Sequence, residues 1–220
     1  MYFPKATLEL GKPGEFSRRE VKQLILAIVV LTIAFSFPLS QSSVIFGTID
    51  LQAILGALPI AFLSLLTAFI CHELSHKFMA QKYGFWSEFR MFPAGLLLSL
   101  VIGIFTGAVI AVPGAVMFRG ETRPFEMGRI AAAGSLANII ITWCMLPVYI
   151  FVVFDMPVLR KIIGFICLIN ALLATFNLLP IQPLDGEKVI KWNGLVWSAL
   201  FSCAVVATLI MLPRFVPYFS

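Results

Sequence analysis

The chain contains two histidines, His72 and His76, with Glu73 directly after the first. The spacing H-E-x-x-H places both imidazoles on one face of a helix, where they can bind the same metal ion. Zinc suits imidazole nitrogen, and a catalytic zinc takes three protein ligands and keeps one position open. Glu73 would lie beside the ion. The alternative is a histidine pair on a helix face, with Glu73 in an ion pair and no metal bound.

A third ligand must come from elsewhere in the chain, and Asp185 is the strongest candidate. The cysteines fall in apolar segments without C-x-x-C spacing, which is typical of small buried residues. Asp185 lies at the end of the stretch N-L-L-P-I-Q-P-L-D-G, residues 177–186, whose two prolines and glycine interrupt an apolar helix. A broken helix with polar residues at membrane depth usually lines a cavity.

The composition predicts an all-α polytopic membrane protein. The chain is 60% hydrophobic and 12% charged, with a mean hydropathy of +0.98, whereas a soluble domain carries about 25% charged residues. Its 220 residues leave room for roughly five to six transmembrane helices in a lipid bilayer. The net charge of +5 therefore indicates basic residues flanking the cytoplasmic ends of spans, and we expect no nucleic-acid partner.

Apolar runs place the spans and their orientation. Residues 1–20 form a charged arm, and residues 21–220 are expected to form a single transmembrane domain. The loop 39–52 has no Lys or Arg, so the positive-inside rule places it outside and the N-terminal arm in the cytoplasm. His72 would then lie about 20 Å along its helix from Pro59, in the cytoplasmic half of the cell membrane. The predicted spans are residues 21–37, 54–82, 127–154, 162–179 and 195–212.

Residues 89–118 allow two interpretations. Their apolar part is long enough for a sixth span, or the segment can enter the membrane and return, with its glycines and prolines at the turn. A return keeps Arg119, Arg123 and Arg129 on the cytoplasmic side. It also leaves an even number of crossings between the histidine helix and Asp185, which puts both on one face. We therefore expect a re-entrant element after the H-E-x-x-H helix.

Three short motifs together resemble the site-2 protease family of intramembrane zinc metalloproteases. They are H-E-L-S-H at residues 72–76, N-L-L-P at 177–180 and L-D-G at 184–186, and residues 134–138 are similar to the small-residue element of the family's middle core helix. The resemblance covers roughly residues 55–190, and it implies a β-hairpin as the form of the re-entrant element. The N-terminal arm and the first and last spans carry no matching motif.

The resemblance implies a zinc metalloendopeptidase that hydrolyses peptide bonds within or near transmembrane segments. His72, His76 and Asp185 would hold about one zinc ion per chain, which activates a water while Glu73 acts as general base. Two further residues, Asn138 and Asn177, are candidates to bind the substrate backbone or the oxyanion.

The substrate implied by the resemblance is a transmembrane helix of another protein, which must unwind before it is cut. An edge of the re-entrant element is expected to hold the unwound strand by β-addition. Replacing Pro93 or Gly95 should then abolish cleavage.

Two alternatives from other classes stay open on the sequence. One is a non-proteolytic membrane zinc-binding protein or zinc transporter, which would not need Glu73 and would usually show inverted repeats. The other is an inactive relative that acts as a scaffold, against which the intact ligands and Glu73 argue.

Overall fold

The computed structural model describes residues 15–108, 111, 113–153 and 155–215. In chain order the elements are α1 (Arg18–Leu39), α2 (Leu51–Leu65), a π-helical turn (Leu66–Ile70), α3 (Cys71–Lys82), β1 (Trp86–Met91), α4 (Pro93–Thr106), β2 (Gly114–Arg119), α5 (Pro124–Pro147), a second π-helical turn (Val148–Val152), α6 (Pro157–Asn177), α7 (Asp185–Trp192) and α8 (Gly194–Phe215).

Five of these described helices are long and apolar enough to cross a membrane. They are Arg18–Leu39, Leu51–Lys82, Pro124–Val152, Pro157–Asn177 and Gly194–Arg214. Large apolar side chains remain exposed along them, as a hydrocarbon environment would allow: Leu209 is 64% exposed and Ile140 is 53% exposed. The predicted all-α polytopic membrane fold is therefore confirmed.

Local sequence signals explain where these helices begin. Ser17 caps α1 by accepting the N–H of Glu20 at 3.0 Å, and Asp50 caps α2 by accepting the N–H of Ala53 at 3.0 Å. Pro124 and Pro157 occupy the first turns of α5 and α6, where a missing N–H costs nothing. Because of its cap, α1 begins at Arg18, before the apolar run from which we predicted it.

Residues 86–119 leave the end of α3 and return beside it, so that Arg119 lies opposite Trp86. β1 and β2 pair antiparallel, with Met91 opposite Gly114, and the 14-residue helix α4 is inserted between them. The far end of α4 reaches the α1–α2 connection, where Ile104 O accepts the N–H of Val44 at 3.1 Å. Gly107 then reverses the chain with φ +66°, a conformation that glycine adopts without strain. The segment is thus a two-stranded hairpin with an inserted helix, as the return interpretation requires.

One detail of this segment differs from expectation. Pro93 and Gly95 lie in the first turn of α4 and not on a strand edge, so their replacement does not test strand addition. Two charged side chains beside this segment are buried: Lys77 of α3 is 0% exposed and Arg90 of β1 is 6% exposed. Lys77 pairs with Glu20 at 2.6 Å inside the protein, because a charge this deep must have a partner. Residues 1–14 of the predicted N-terminal arm lie outside the described residues.

Helix α5 is the centre of the packing and contacts α3, α6, α7 and α8. Within its first half, the stretch from Ile130 to Ser135 consists mostly of alanine and glycine and is buried throughout. Small residues let neighbouring helices approach closely in a membrane. This half of α5 faces α3 and α7, which carry the residues of the candidate site.

Candidate metal centre

The structure brings together the side chains of His72, His76 and Asp185. The two imidazole Nε2 atoms are 3.0 Å apart, and the Oδ2 atom of Asp185 lies 3.5 Å from Nε2 of His72 and 3.0 Å from Nε2 of His76. Both histidines are less than 10% exposed. Among the described residues these three form a group able to hold a metal ion.

The donor set and its spacing fit zinc. Two imidazole nitrogens and one carboxylate oxygen are common zinc ligands, and donors at about 2.0–2.1 Å in a tetrahedron stand about 3.3 Å from one another. The three observed separations, 3.0, 3.0 and 3.5 Å, lie around that value. Three protein donors leave one position for water or substrate, which is the arrangement of a catalytic site rather than a structural one.

Helix α5 orients both imidazoles through their outer nitrogens. Nδ1 of His76 lies 2.7 Å from the backbone carbonyl of Ile130. Because a carbonyl oxygen only accepts, this nitrogen donates its proton and Nε2 keeps its lone pair for the centre. Nδ1 of His72 lies 3.2 Å from Oδ1 of Asn138. Such contacts behind the ligands fix ring orientation in metal sites.

Gly134 makes room for the histidines where α5 crosses α3. A Cβ atom at this position would lie 2.4 Å from Nε2 of His76 and 2.8 Å from Cε1 of His72. Both distances are far below an ordinary contact, so a side chain here would push the rings out of place. The signal for this in the sequence was the small-residue element at residues 134–138.

Asp185 reaches the centre because α6 ends and α7 begins close to it. Gly186 allows this arrangement, since a Cβ there would lie 2.1 Å from the carbonyl oxygen of Leu178. The second carboxylate oxygen of Asp185, Oδ1, accepts a hydrogen bond from Lys188 Nζ at 3.1 Å. The lysine thereby holds the carboxylate so that Oδ2 points at the two imidazoles.

Glu73 lies beside the centre and contacts the hairpin. Its Oε2 atom accepts the backbone N–H of Val116 in β2 at 3.1 Å, and the residue is 8% exposed. Val116 stands opposite Phe89 in the sheet. The N–H of Phe89 is bound by Oε1 of Glu20 at 2.9 Å. Both amides therefore point away from the sheet, and Glu73 occupies the outer edge of β2.

The two asparagines predicted to bind substrate lie in different surroundings. Asn138 is fully buried behind His72, and its Nδ2 donates to the carbonyl of Ala68 at 3.1 Å. Asn177 donates to Leu173 O, one turn earlier in its own helix, at 3.1 Å. The contacts of Ala68 and Val116 could not be predicted from the sequence, because both use backbone groups that any residue would supply.

Comparison with curated proteins finds relatives in Methanocaldococcus jannaschii. One, named "Putative zinc metalloprotease MJ0611", is 37% identical over 185 residues, which is 83% of this chain and 89% of the relative. Another, named "Zinc metalloprotease MJ0392", is 30% identical over 133 residues, or 60% of this chain and 33% of that longer protein. No protein-family model and no solved structure matches the chain.

Proposed function

This chain belongs to the zinc metalloprotease family of its Methanocaldococcus jannaschii relative, and we propose that it is an intramembrane protease of the site-2 type. It hydrolyses peptide bonds within or near the transmembrane segments of other membrane proteins. One observation carries the proposal: a zinc-type donor set and an adjacent glutamate converge, with His72, Glu73 and His76 on a helix long and apolar enough to span a bilayer and the third donor at the start of the short helix α7. A charged cluster at such depth is expensive and is retained for function.

The residues of the site have distinct roles in this reaction. His72, His76 and Asp185 would hold about one zinc ion per chain, which supplies Lewis-acid activation of water and of the scissile carbonyl. Glu73 takes the proton from the attacking water as general base and returns it to the leaving amine as general acid. Lys188 holds Asp185 in position through the carboxylate oxygen that does not face the centre.

The hairpin offers the unwound substrate one edge and closes the other. Side chains of α1 occupy the outer edge of β1: Glu20 binds the N–H of Phe89 at 2.9 Å and Gln23 binds the N–H of Met91 at 3.2 Å. On the outer edge of β2, Oε2 of Glu73 accepts the N–H of Val116, and a substrate strand adding there would have to displace this hydrogen bond. A substrate strand adding to β2 would thus lie directly beside the general base.

The proposed orientation places the centre in the cytoplasmic half of the cell membrane. Lys82 ends α3, and Lys188 and Lys191 lie on α7, so positive charge gathers at the end of the bundle that holds the centre. Such charge marks the cytoplasmic side. The N-terminal arm would lie on this side too, because α1 enters the bundle beside β1.

The experiment that tests the proposal is a Glu73→Gln substitution in the purified full-length protein. The probe is a panel of single-span transmembrane peptides with a fluorophore and quencher flanking the apolar segment, reconstituted with the protease in liposomes. We expect cleavage by the wild type, loss of cleavage by at least about 100-fold in the variant, and equal zinc content in both by metal analysis.

Two results would count against the proposal. Cleavage retained in Glu73→Gln would refute the assignment of the general base. A wild-type protein that binds zinc but cuts none of the peptides would favour the non-proteolytic membrane zinc-binding protein instead.

Cross-linking tests the substrate edge separately. In a Glu73→Gln background with the native cysteines replaced by serine, Val116→Cys should form a disulfide with single cysteines placed near the cleavage site of a peptide. Met91→Cys on β1 is the matched control, since α1 covers that edge. Equal cross-linking from both positions would contradict addition to β2.

A further inference from the structure

The amide of Asn138 stands between a metal-binding imidazole and a distorted turn of helix. Its Oδ1 lies 3.2 Å from Nδ1 of His72, and its Nδ2 lies 3.1 Å from the carbonyl oxygen of Ala68. Ala68 belongs to the π-helical turn Leu66–Ile70, which directly precedes α3. The side chain is 0% exposed, so these protein groups decide its orientation.

The carbonyl of Ala68 determines which way the amide points. A carbonyl oxygen only accepts hydrogen bonds, so the group of Asn138 that faces it must be the NH₂. The oxygen of the amide then faces His72, and Nδ1 of that ring must be the donor. A neutral imidazole that carries its proton on Nδ1 presents a lone pair on Nε2, the nitrogen that faces Asp185 and His76.

The π-helical turn makes this contact available. In a regular α-helix the carbonyl of Ala68 would bond to the N–H four residues later, which is that of His72 itself. The wider turn shifts this pattern by one residue and directs the carbonyl towards α5. Wide turns of this kind are found most often at functional sites.

We infer that Asn138 is a positioning residue: its NH₂ group donates to the Ala68 carbonyl of the π-helical turn, and its oxygen thereby fixes the tautomer and ring orientation of His72 for metal binding. This role replaces the substrate-binding role expected from the sequence. The inference rests on the proposed function, since it concerns the affinity of the same centre for zinc.

The chain contains a matched control in Asn170. This asparagine is also 0% exposed, and it donates to the same π-helical turn through Oγ1 of Thr67 at 3.0 Å and to Ile166 O at 2.8 Å. Replacing it removes a buried amide and a contact with the turn, but no contact with a histidine.

The test measures zinc affinity by competition with a chelator, using full-length protein in detergent. We expect Asn138→Leu to weaken zinc binding by about 10- to 100-fold, the usual effect of losing a partner behind a metal ligand. Asn170→Leu should stay within about threefold of the wild type. The serine side chain of Asn138→Ser is too short to reach His72, so this variant should show the same zinc affinity as Asn138→Leu. It replaces the leucine variant in the test if that variant fails to fold.

Thermal unfolding of the metal-free proteins separates packing from positioning. The two leucine variants should lose similar stability, because each removes one buried amide. Wild-type zinc affinity in Asn138→Leu or Asn138→Ser, or equal weakening in Asn170→Leu, would overturn the inference. A wild-type protein that binds no zinc would overturn the metal centre itself, which is a different result.

Discussion

A single methyl group on α5 should weaken metal binding although it replaces no ligand. Gly134→Ala places a Cβ atom 2.4 Å from Nε2 of His76 and 2.8 Å from Cε1 of His72. Ordinary contact begins at 3.4 Å, so the His76 ring or the α5 backbone must move by about 1 Å, and packed interiors resist such a shift. The Nε2–Oδ2 distance of 3.0 Å from His76 to Asp185 would change with the ring.

The expected cost is about 10- to 100-fold in zinc affinity, the range found when a ligand loses its support. In free energy this is about 1.4 to 2.8 kcal/mol. Peptide cleavage should fall by about 100-fold or more, since a displacement of about 1 Å costs that much in catalysis. Affinity is measured by chelator competition and cleavage with the transmembrane peptides described above.

Gly56→Ala is the control for this variant. Gly56 also lies inside a spanning helix, but a Cβ there meets nothing within 4 Å. The control should bind zinc as the wild type does and gain up to about 1 kcal/mol of stability. The reasoning is refuted if Gly134→Ala, folded and with unchanged helix content, binds zinc as tightly as Gly56→Ala does.

Two further substitutions test contacts that support the site. Lys77→Met should destabilise the protein by about 3–5 kcal/mol because it leaves the buried carboxylate of Glu20 without its ion-pair partner. Adding Glu20→Gln should restore most of the melting temperature, and a double variant no more stable than Lys77→Met alone would contradict this. Gly186→Ala should contain less zinc than Gly194→Ala. The added Cβ at position 186 would lie 2.1 Å from Leu178 O, whereas a Cβ at position 194 meets nothing within 4 Å. Equal zinc content in the two variants would show that α7 accommodates the methyl group.

Sequence reasoning reached the parts of the site that follow from local periodicity and charge. The spacing of His72 and His76 placed both rings on one helix face, and the charge distribution and the count of crossings together favoured a return of residues 89–118 over a sixth span. The antiparallel pairing of β1 with β2 agrees with that requirement. Composition alone was enough to predict the helical membrane fold.

The remaining contacts lay beyond local reasoning because they join distant positions through generic groups. Glu73 meets the backbone of Val116 43 residues later, and Asn138 meets the carbonyl of Ala68 70 residues earlier. No residue type marks a backbone partner in advance. The ion pair of Lys77 is similarly distant in sequence, since its partner Glu20 lies 57 residues away.

These long-range contacts distinguish the residues that bind the metal from the residues that orient those ligands. Helix α5 supplies no ligand, yet it contacts the outer nitrogens of both imidazoles through Ile130 and Asn138 and admits them through Gly134. Ligands from α3 and α7 therefore meet in usable geometry only when α5 is in place between them. Because the chain must fold before its donors converge, zinc binding should add to the free energy of unfolding. At a free zinc concentration of 100 times the Kd, this contribution is about 2.7 kcal/mol. A melting temperature unchanged by zinc would mean that the donors do not converge as the structure has them.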